Sequence, residues 1–146
     1  MDEPLEFSSK ITEFSELSNF HVAPFTINDQ IWQTVEHFFQ AQKFPTDKTL
    51  QEKIRLAKSP TVAKRLGRTK THHFRSDWEQ VKEELMLQAL TAKFEQNPQL
   101  KALLMSTGTR ELKEKASWDS YWGTGRTGKG KNRMGFLLSK LRLANK

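Results

Sequence analysis

Cysteine is absent from the 146 residues. That excludes disulfides, thiolate zinc sites and cysteine nucleophiles together. Long apolar runs are missing too, and no stretch approaches the ~20 residues of a membrane span. The opening MDEPLEFSSK is acidic and carries no apolar segment, so no secretory leader is expected. Acids are missing from the end: Asp119 is the last, and none follows up to Lys146. These absences lead us to expect a cytoplasmic protein with no membrane partner. What is present suits a folded core. Apolar residues make up 36% of the chain, with ten Phe and four Trp, and a single domain over residues 1–146 is expected from the length.

The net charge of +7 comes from 24 Lys and Arg against 17 Asp and Glu. From Ser120 onward stand Arg126, Lys129, Lys131, Arg133, Lys140, Arg142 and Lys146 with no acid, so the preceding residues balance and the whole excess lies in the last fifth. Such a bias suits an anionic partner, either a phosphorylated small molecule or nucleic acid. A solvated basic surface accounts for the charge equally well.

Periodicity predicts a mostly helical α+β fold with a small sheet. Short apolar runs at Leu5–Phe7 and Phe20–Phe25 suggest loops and short strands. A helix follows Thr34 and ends at Pro45, a second covers Lys48 to Ala57, and Ser59-Pro60 opens a third that Gly67 closes. Ser76 and Glu79 spell a capping box before Trp78, Val81, Leu85, Ala89 and Ala92. Asn97-Pro98 separates that helix from the next, and Leu112 lies in a strand-like stretch. Met134, Leu137, Leu138 and Leu141 mark a last amphipathic helix.

The loop WGTGRTGKGKN imitates two nucleotide motifs. Gly123, Gly125 and Gly128 fit G-x-G-x-x-G, yet no buried strand precedes them and no acid follows. Gly123, Gly128 and Lys129 also fit a P-loop until Gly130 stands where Ser or Thr must hold magnesium. Both readings fail. The physics beneath them remains: a glycine-rich loop with Arg126, Lys129 and Lys131, entering a helix near Asn132, offers backbone N–H groups to a phosphate. Trp122 at its entry supplies a face for stacking.

No metal site is expected from His21, His37, His72 and His73, which lack ligand spacing. Glu36, Gln40 and Lys43 fall at i, i+4 and i+7 on one helix face, between Phe38, Phe39 and Phe44. An ordinary ion-pair ladder explains this stripe; so does an acid–base face looking into a cleft. Were Asp119 and the glycine-rich loop brought to that face, two carboxylates, an amine, an aromatic wall and an anion cradle would combine. Such a set suits cleavage of an N-glycosidic bond in a phosphorylated ribosyl compound. A carboxylate can stabilise oxocarbenium character or activate water, and a desolvated Lys43 can attack an open-chain aldehyde. Both routes are open to these residues.

Seven blocks occur in order: SNFHVAPF, TVEHFFQAQKF, SPTVAKRLGR, DWEQVKEELM, ALTAKFEQNPQL, LKE and WDSYWGTGRTGKGKNRMG. Together they resemble the YbiA-like group of the NADAR (NAD and ADP-ribose) superfamily over nearly the whole chain from Ser18. The resemblance implies a compact α+β N-glycosidase that needs no cofactor. Its expected substrates are ribosylamino-pyrimidine 5′-phosphates, early intermediates of riboflavin biosynthesis, cleaved to ribose 5-phosphate and a pyrimidine. Other branches of the superfamily remove ADP-ribose from guanine in DNA, and a non-catalytic ADP-ribose or nucleic-acid binder is the alternative outside enzymes. The family's motif acid, Gln and Lys match Glu36, Gln40 and Lys43, and its loop Asp and Trp match Asp119 and Trp122. Glu36, Asp119 and Lys43 are therefore the expected catalytic residues. Asn19, Gln40, Trp78, Trp122, Gly123, Lys129 and Asn132 are the expected substrate-binding residues. Val35 stands where some relatives have a small hydroxyl residue, which removes no chemistry.

Overall fold

The computed structural model describes residues 3–70 and 73–146. His72 lies outside them. The elements run β1 (Leu5–Phe7), β2 (Phe25–Ile27), β3 (Gln30–Trp32), α1 (Val35–Ala41), α2 (Lys48–Arg55), α3 (Pro60–Gly67), α4 (Trp78–Gln96), α5 (Pro98–Ser106), β4 (Leu112–Glu114) and α6 (Arg133–Ala144). The fold is α+β and predominantly helical, with two small sheets. No helix among the described residues is long and apolar enough to cross a membrane. The chain divides into two compact units, one from Val22 to Asn97 and the other from the residues on either side of that segment.

In the Val22–Asn97 unit, β2 and β3 form an antiparallel hairpin. Asn28 and Asp29 both take positive φ (52° and 65°), the twist that a two-residue hairpin turn requires. The opposed pair Phe25 and Trp32 both meet Phe38 of α1 edge-on, at 6.3 and 5.2 Å between ring centroids. This seats α1 on the hairpin, and each fully buried aromatic contributes roughly 1.5–3 kcal/mol. The N-caps of α1, α2 and α3 are Thr34, Asp47 and Ser59, each accepting a backbone N–H from the first turn. The capping box expected at α4 does not form. Asp77 is the N-cap without a side-chain cap bond, its carboxylate being held by Arg75, while Glu79 pairs with Lys82 at 2.6 Å. Lys93, inside the apolar stripe of α4, is buried with its ammonium over the Phe94 ring.

In the other unit, β1 and β4 pair in parallel, Leu5 opposite Leu112 and Phe7 opposite Glu114. Phe7, Leu112, Met134 and Leu138 are fully buried there. Helix α6 packs so closely on β4 that a side chain at Gly135 would collide with the Leu112 carbonyl.

Candidate active site

Helix α1 is buried along its whole length, so its polar residues need partners inside the protein. His37 finds them in Thr34 Oγ1 (2.7 Å) and the Ala57 carbonyl (3.0 Å), and desolvation lowers its pKa. It is a structural histidine. The Gln40 amide donates to Glu36 Oε2 at 2.6 Å. Gln40 Oε1 is buried without a donor. The Gln40 side chain lies against Gly67 of α3, where an added Cβ would stand 2.7 Å from Gln40 Cδ and 2.9 Å from its Cβ. Glycine at 67 is thus what lets α3 approach Gln40.

Glu36 is only 8% exposed. Burial pushes its carboxyl above the usual range, against the opposing pull of the Gln40 hydrogen bond and of Lys64, Lys43 and Arg68. Lys43, in the turn after α1, shifts the other way. Desolvation lowers its ammonium pKa, Glu36 raises it, and Arg68 and Lys64 lower it further. Both shifts favour the neutral form of the group, the combination expected of a functional acid–base pair. The Lys43 ammonium lies 5.7 Å from the centre of the Trp78 ring, and Trp78 packs on Phe39 at 4.8 Å. The Lys43 carbonyl accepts the Arg75 N–H, which ties the turn to the start of α4. The structure thus brings Glu36, Gln40, Lys43 and Trp78 into one unit and adds Lys64 and Arg68, to which the sequence had assigned no role. A helix with Lys64, Gly67 and Arg68 at i, i+3 and i+4 and no acid was the available signal.

Asn19, Asp119, Trp122, Gly123, Lys129 and Asn132 belong to the other unit. Asp119 Oδ1 accepts the N–H groups of Tyr121 (3.0 Å) and Trp122 (2.9 Å), which fixes the entry to the glycine-rich loop. The open cradle expected there is corrected by the backbone. Gly130 N–H donates to Thr124 O, Lys131 to Ser120, Asn132 to Gly123, Arg133 to Tyr121 and Met134 to Trp122. The N–H groups at the end of the loop are therefore satisfied, and the first turn of α6 is capped by carbonyls where a phosphate was expected. Gly123 is a packing glycine, since a Cβ there would lie 2.9 Å from the Glu114 carbonyl. Asn132 donates to Leu112 O (2.8 Å) and accepts from Glu114 N (2.9 Å), so its amide clamps β4 and is not offered to a ligand. Lys129 is exposed. Asn19 is buried and reaches Met134 Sδ at 3.4 Å.

The basic tail is partly structural as well. Arg142 is buried and donates to Thr107 Oγ1 at 2.8 Å, and Arg133 lies over the Phe136 ring at 4.2 Å. Among the described residues no group of three or more His, Asp or Glu is placed to hold a metal.

The model of the NADAR domain matches residues 6–144. The chain belongs to the NADAR family. N-glycosidase YbiA of Escherichia coli (strain K12) is 46% identical over 141 residues, covering 97% of this chain and 88% of that protein. Riboflavin biosynthesis protein PYRR of Zea mays is 39% identical over 88% of this chain, which matches 23% of that longer protein. The NMR structure of E. coli YbiA superposes with a TM-score of 0.90 at 45% identity, covering 99% of this chain and 86% of that one. In this NADAR chain the Glu36 carboxyl is buried and the Lys43 amine half-buried, both are displaced in pKa, and Lys64 and Arg68 act on each.

Proposed function

We propose that this NADAR chain hydrolyses ribosylamino-pyrimidine 5′-phosphates, intermediates of riboflavin biosynthesis, to ribose 5-phosphate and the free pyrimidine. The chain is an N-glycosidase, a hydrolase of N-glycosyl bonds. The observation that carries the mechanism is the pairing of buried Glu36 on α1, raised in pKa, with half-buried Lys43 in the turn after it, lowered in pKa. Neutral Lys43 is nucleophilic in a way that an ordinary surface ammonium is not. Its amine adds to C1 of the ring-opened N-ribosylamine. The bond from C1 to the pyrimidine's amine then breaks, as the Glu36 carboxyl delivers a proton to that nitrogen. Water hydrolyses the resulting imine, which restores Lys43 and releases ribose 5-phosphate. Trp78, whose ring faces Lys43, walls the reacting carbon.

Asp119, the second carboxylate of the family's motif, is assigned to positioning: it fixes the backbone from which Trp122 projects. Trp122, Asn19 and Lys129 are proposed to contact substrate on the strength of the motif alone. Incubation with a ribosylamino-pyrimidine 5′-phosphate, followed by mass spectrometry, should show ribose 5-phosphate and the free pyrimidine. Release of ADP-ribose from ADP-ribosylated DNA, with no cleavage of the small substrate, would replace this reading.

A further inference from the structure

Helix α3 contains no acid, and Lys64 in its last turn and Arg68 at its C-cap stand on either side of Gly67. Because Gly67 lies against the Gln40 side chain, residues at i−3 and i+1 from it flank the same contact. Both cations act on Glu36 and on Lys43. Lys64 is half-buried and Arg68 is exposed, while Glu36 is buried. Arg65, between them in sequence, turns to the exposed side.

Charge counting gives the cluster a definite preference. With Glu36 ionised and Lys43 protonated, the four groups sum to +2. With the proton moved so that both are neutral, Lys64 and Arg68 still give +2. A phosphate monoester carries about −1.5 to −2 near pH 7. It neutralises the cluster in either protonation state, and a guanidinium offers it paired donors. The entry to α6 provides no comparable cradle, because the N–H groups from Gly130 to Met134 are all donated to backbone carbonyls. We infer that Lys64 and Arg68 of α3 form the site for the 5′-phosphate of the ribosyl substrate. This rests on the N-glycosidase reading for the identity of the sugar, but the anion site itself can be tested without turnover. Cations in the last turn of a helix also complement its dipole, so the test must separate an anion site from helix capping.

The experiment titrates the purified protein with ribose 5-phosphate and with ribose, for the native chain and for Lys64→Gln, Arg68→Gln and the double variant. Thermal melts run in parallel. The native chain should prefer ribose 5-phosphate over ribose by at least about thirtyfold, and each substitution should weaken only the phosphorylated ligand, by roughly tenfold per lost charged contact. The double variant should bind the two ligands alike. With the ribosylamino-pyrimidine 5′-phosphate, the same variants should raise KM at least about tenfold, and kcat should fall as well, because Lys64 and Arg68 hold down the pKa of Lys43. No native preference for the phosphorylated sugar overturns the proposal. So do equal losses for both ligands, a lowered Tm with affinity unchanged, or a preference abolished instead by Lys129→Gln with Lys131→Gln. If the native chain binds ribose 5-phosphate through α3 yet cleaves no N-ribosyl compound, the N-glycosidase reading fails and the anion site stands. If it cleaves one with a phosphate preference that Lys64 and Arg68 do not influence, the reverse holds.

Discussion

The face formed by α1 with α3 and the glycine-rich loop before α6 both carry charge and both look like chemistry in the sequence, but folding treats their polar groups differently. Around Glu36 it buries a carboxylate and half-buries an amine, and the pKa of each moves away from its ordinary value. In the loop, Asp119 Oδ1 takes two N–H groups, and five consecutive N–H groups from Gly130 to Met134 find carbonyls. One region is left electrostatically poised; the other is satisfied. Glycine spacing reports where a backbone must turn tightly, whereas reactivity depends on groups whose charge is costly where they stand. The family motif spans both regions without distinguishing the two tasks.

The largest expected effect comes from removing the poised charge. Glu36→Gln keeps an acceptor for the Gln40 amide but loses the acid, and kcat/KM should fall at least about a hundredfold, some 2.7 kcal/mol of transition-state stabilisation. Its stability should move the opposite way. The folded pKa of Glu36 is raised above 4.5, so its contribution is fully present below the unfolded value and is lost as pH rises through the folded one. At pH 7 the variant should therefore melt a few degrees higher than the native chain, and the gap should close as pH falls below about 4.5. A loss under tenfold with no gain in Tm would place Glu36 among ordinary helix residues.

Lys43→Met is expected next in size. Methionine keeps the stem beside Trp78 but cannot form an imine, and turnover should drop at least about thirtyfold, or ~2 kcal/mol. Borohydride added during turnover should trap a sugar on the native chain and none on the variant. Substantial activity in Lys43→Met with no trappable adduct would favour direct attack by water, with Glu36 as base. Gly67→Ala probes the fit of the two helices. Its Cβ would displace Gln40, so stability should fall by roughly 1–3 kcal/mol and kcat by about tenfold as Glu36 loses its orienting amide. Adding Gln40→Ala should restore most of the stability, a coupling visible in a double-mutant cycle. Additive losses would show that the contact has no such role.

Much of this was legible before folding. Thr34, Ser59-Pro60 and Asn97-Pro98 marked helix starts because caps and proline act locally, and Glu36, Gln40 and Lys43 fell on one face by spacing alone. The hairpin Phe25–Trp32 was missed beyond Phe25: its signal is the pair Asn28-Asp29 at positive φ, whose Asp stands where glycine usually does. The capping box at Ser76 failed because Lys82 takes the Glu79 carboxylate the box needs, and Asp77, held by Arg75, stands at the N-cap instead. Lys64 and Arg68 gained a role only through the approach of α3 to α1; their spacing around Gly67 on an acid-free helix was a local signal, but it does not say which helix they face.

Asp119 gives the smallest effect and the finest test of the comparison. In Asp119→Asn the side-chain oxygen can still accept from Tyr121 and Trp122, so the loop should hold and kcat/KM should stay within about threefold, under ~0.7 kcal/mol. Asp119→Ala leaves two backbone N–H groups without their acceptor, which costs on the order of 1–2 kcal/mol of stability at such a cap. It should raise KM more than it lowers kcat, because Trp122 then loses its placement. Rescue of the alanine defect by asparagine is the signature of positioning. If asparagine is instead as damaging as alanine to kcat while Tm is unchanged, the Asp119 charge takes part in the reaction, and the contrast between a poised helix and a satisfied loop is wrong at that residue.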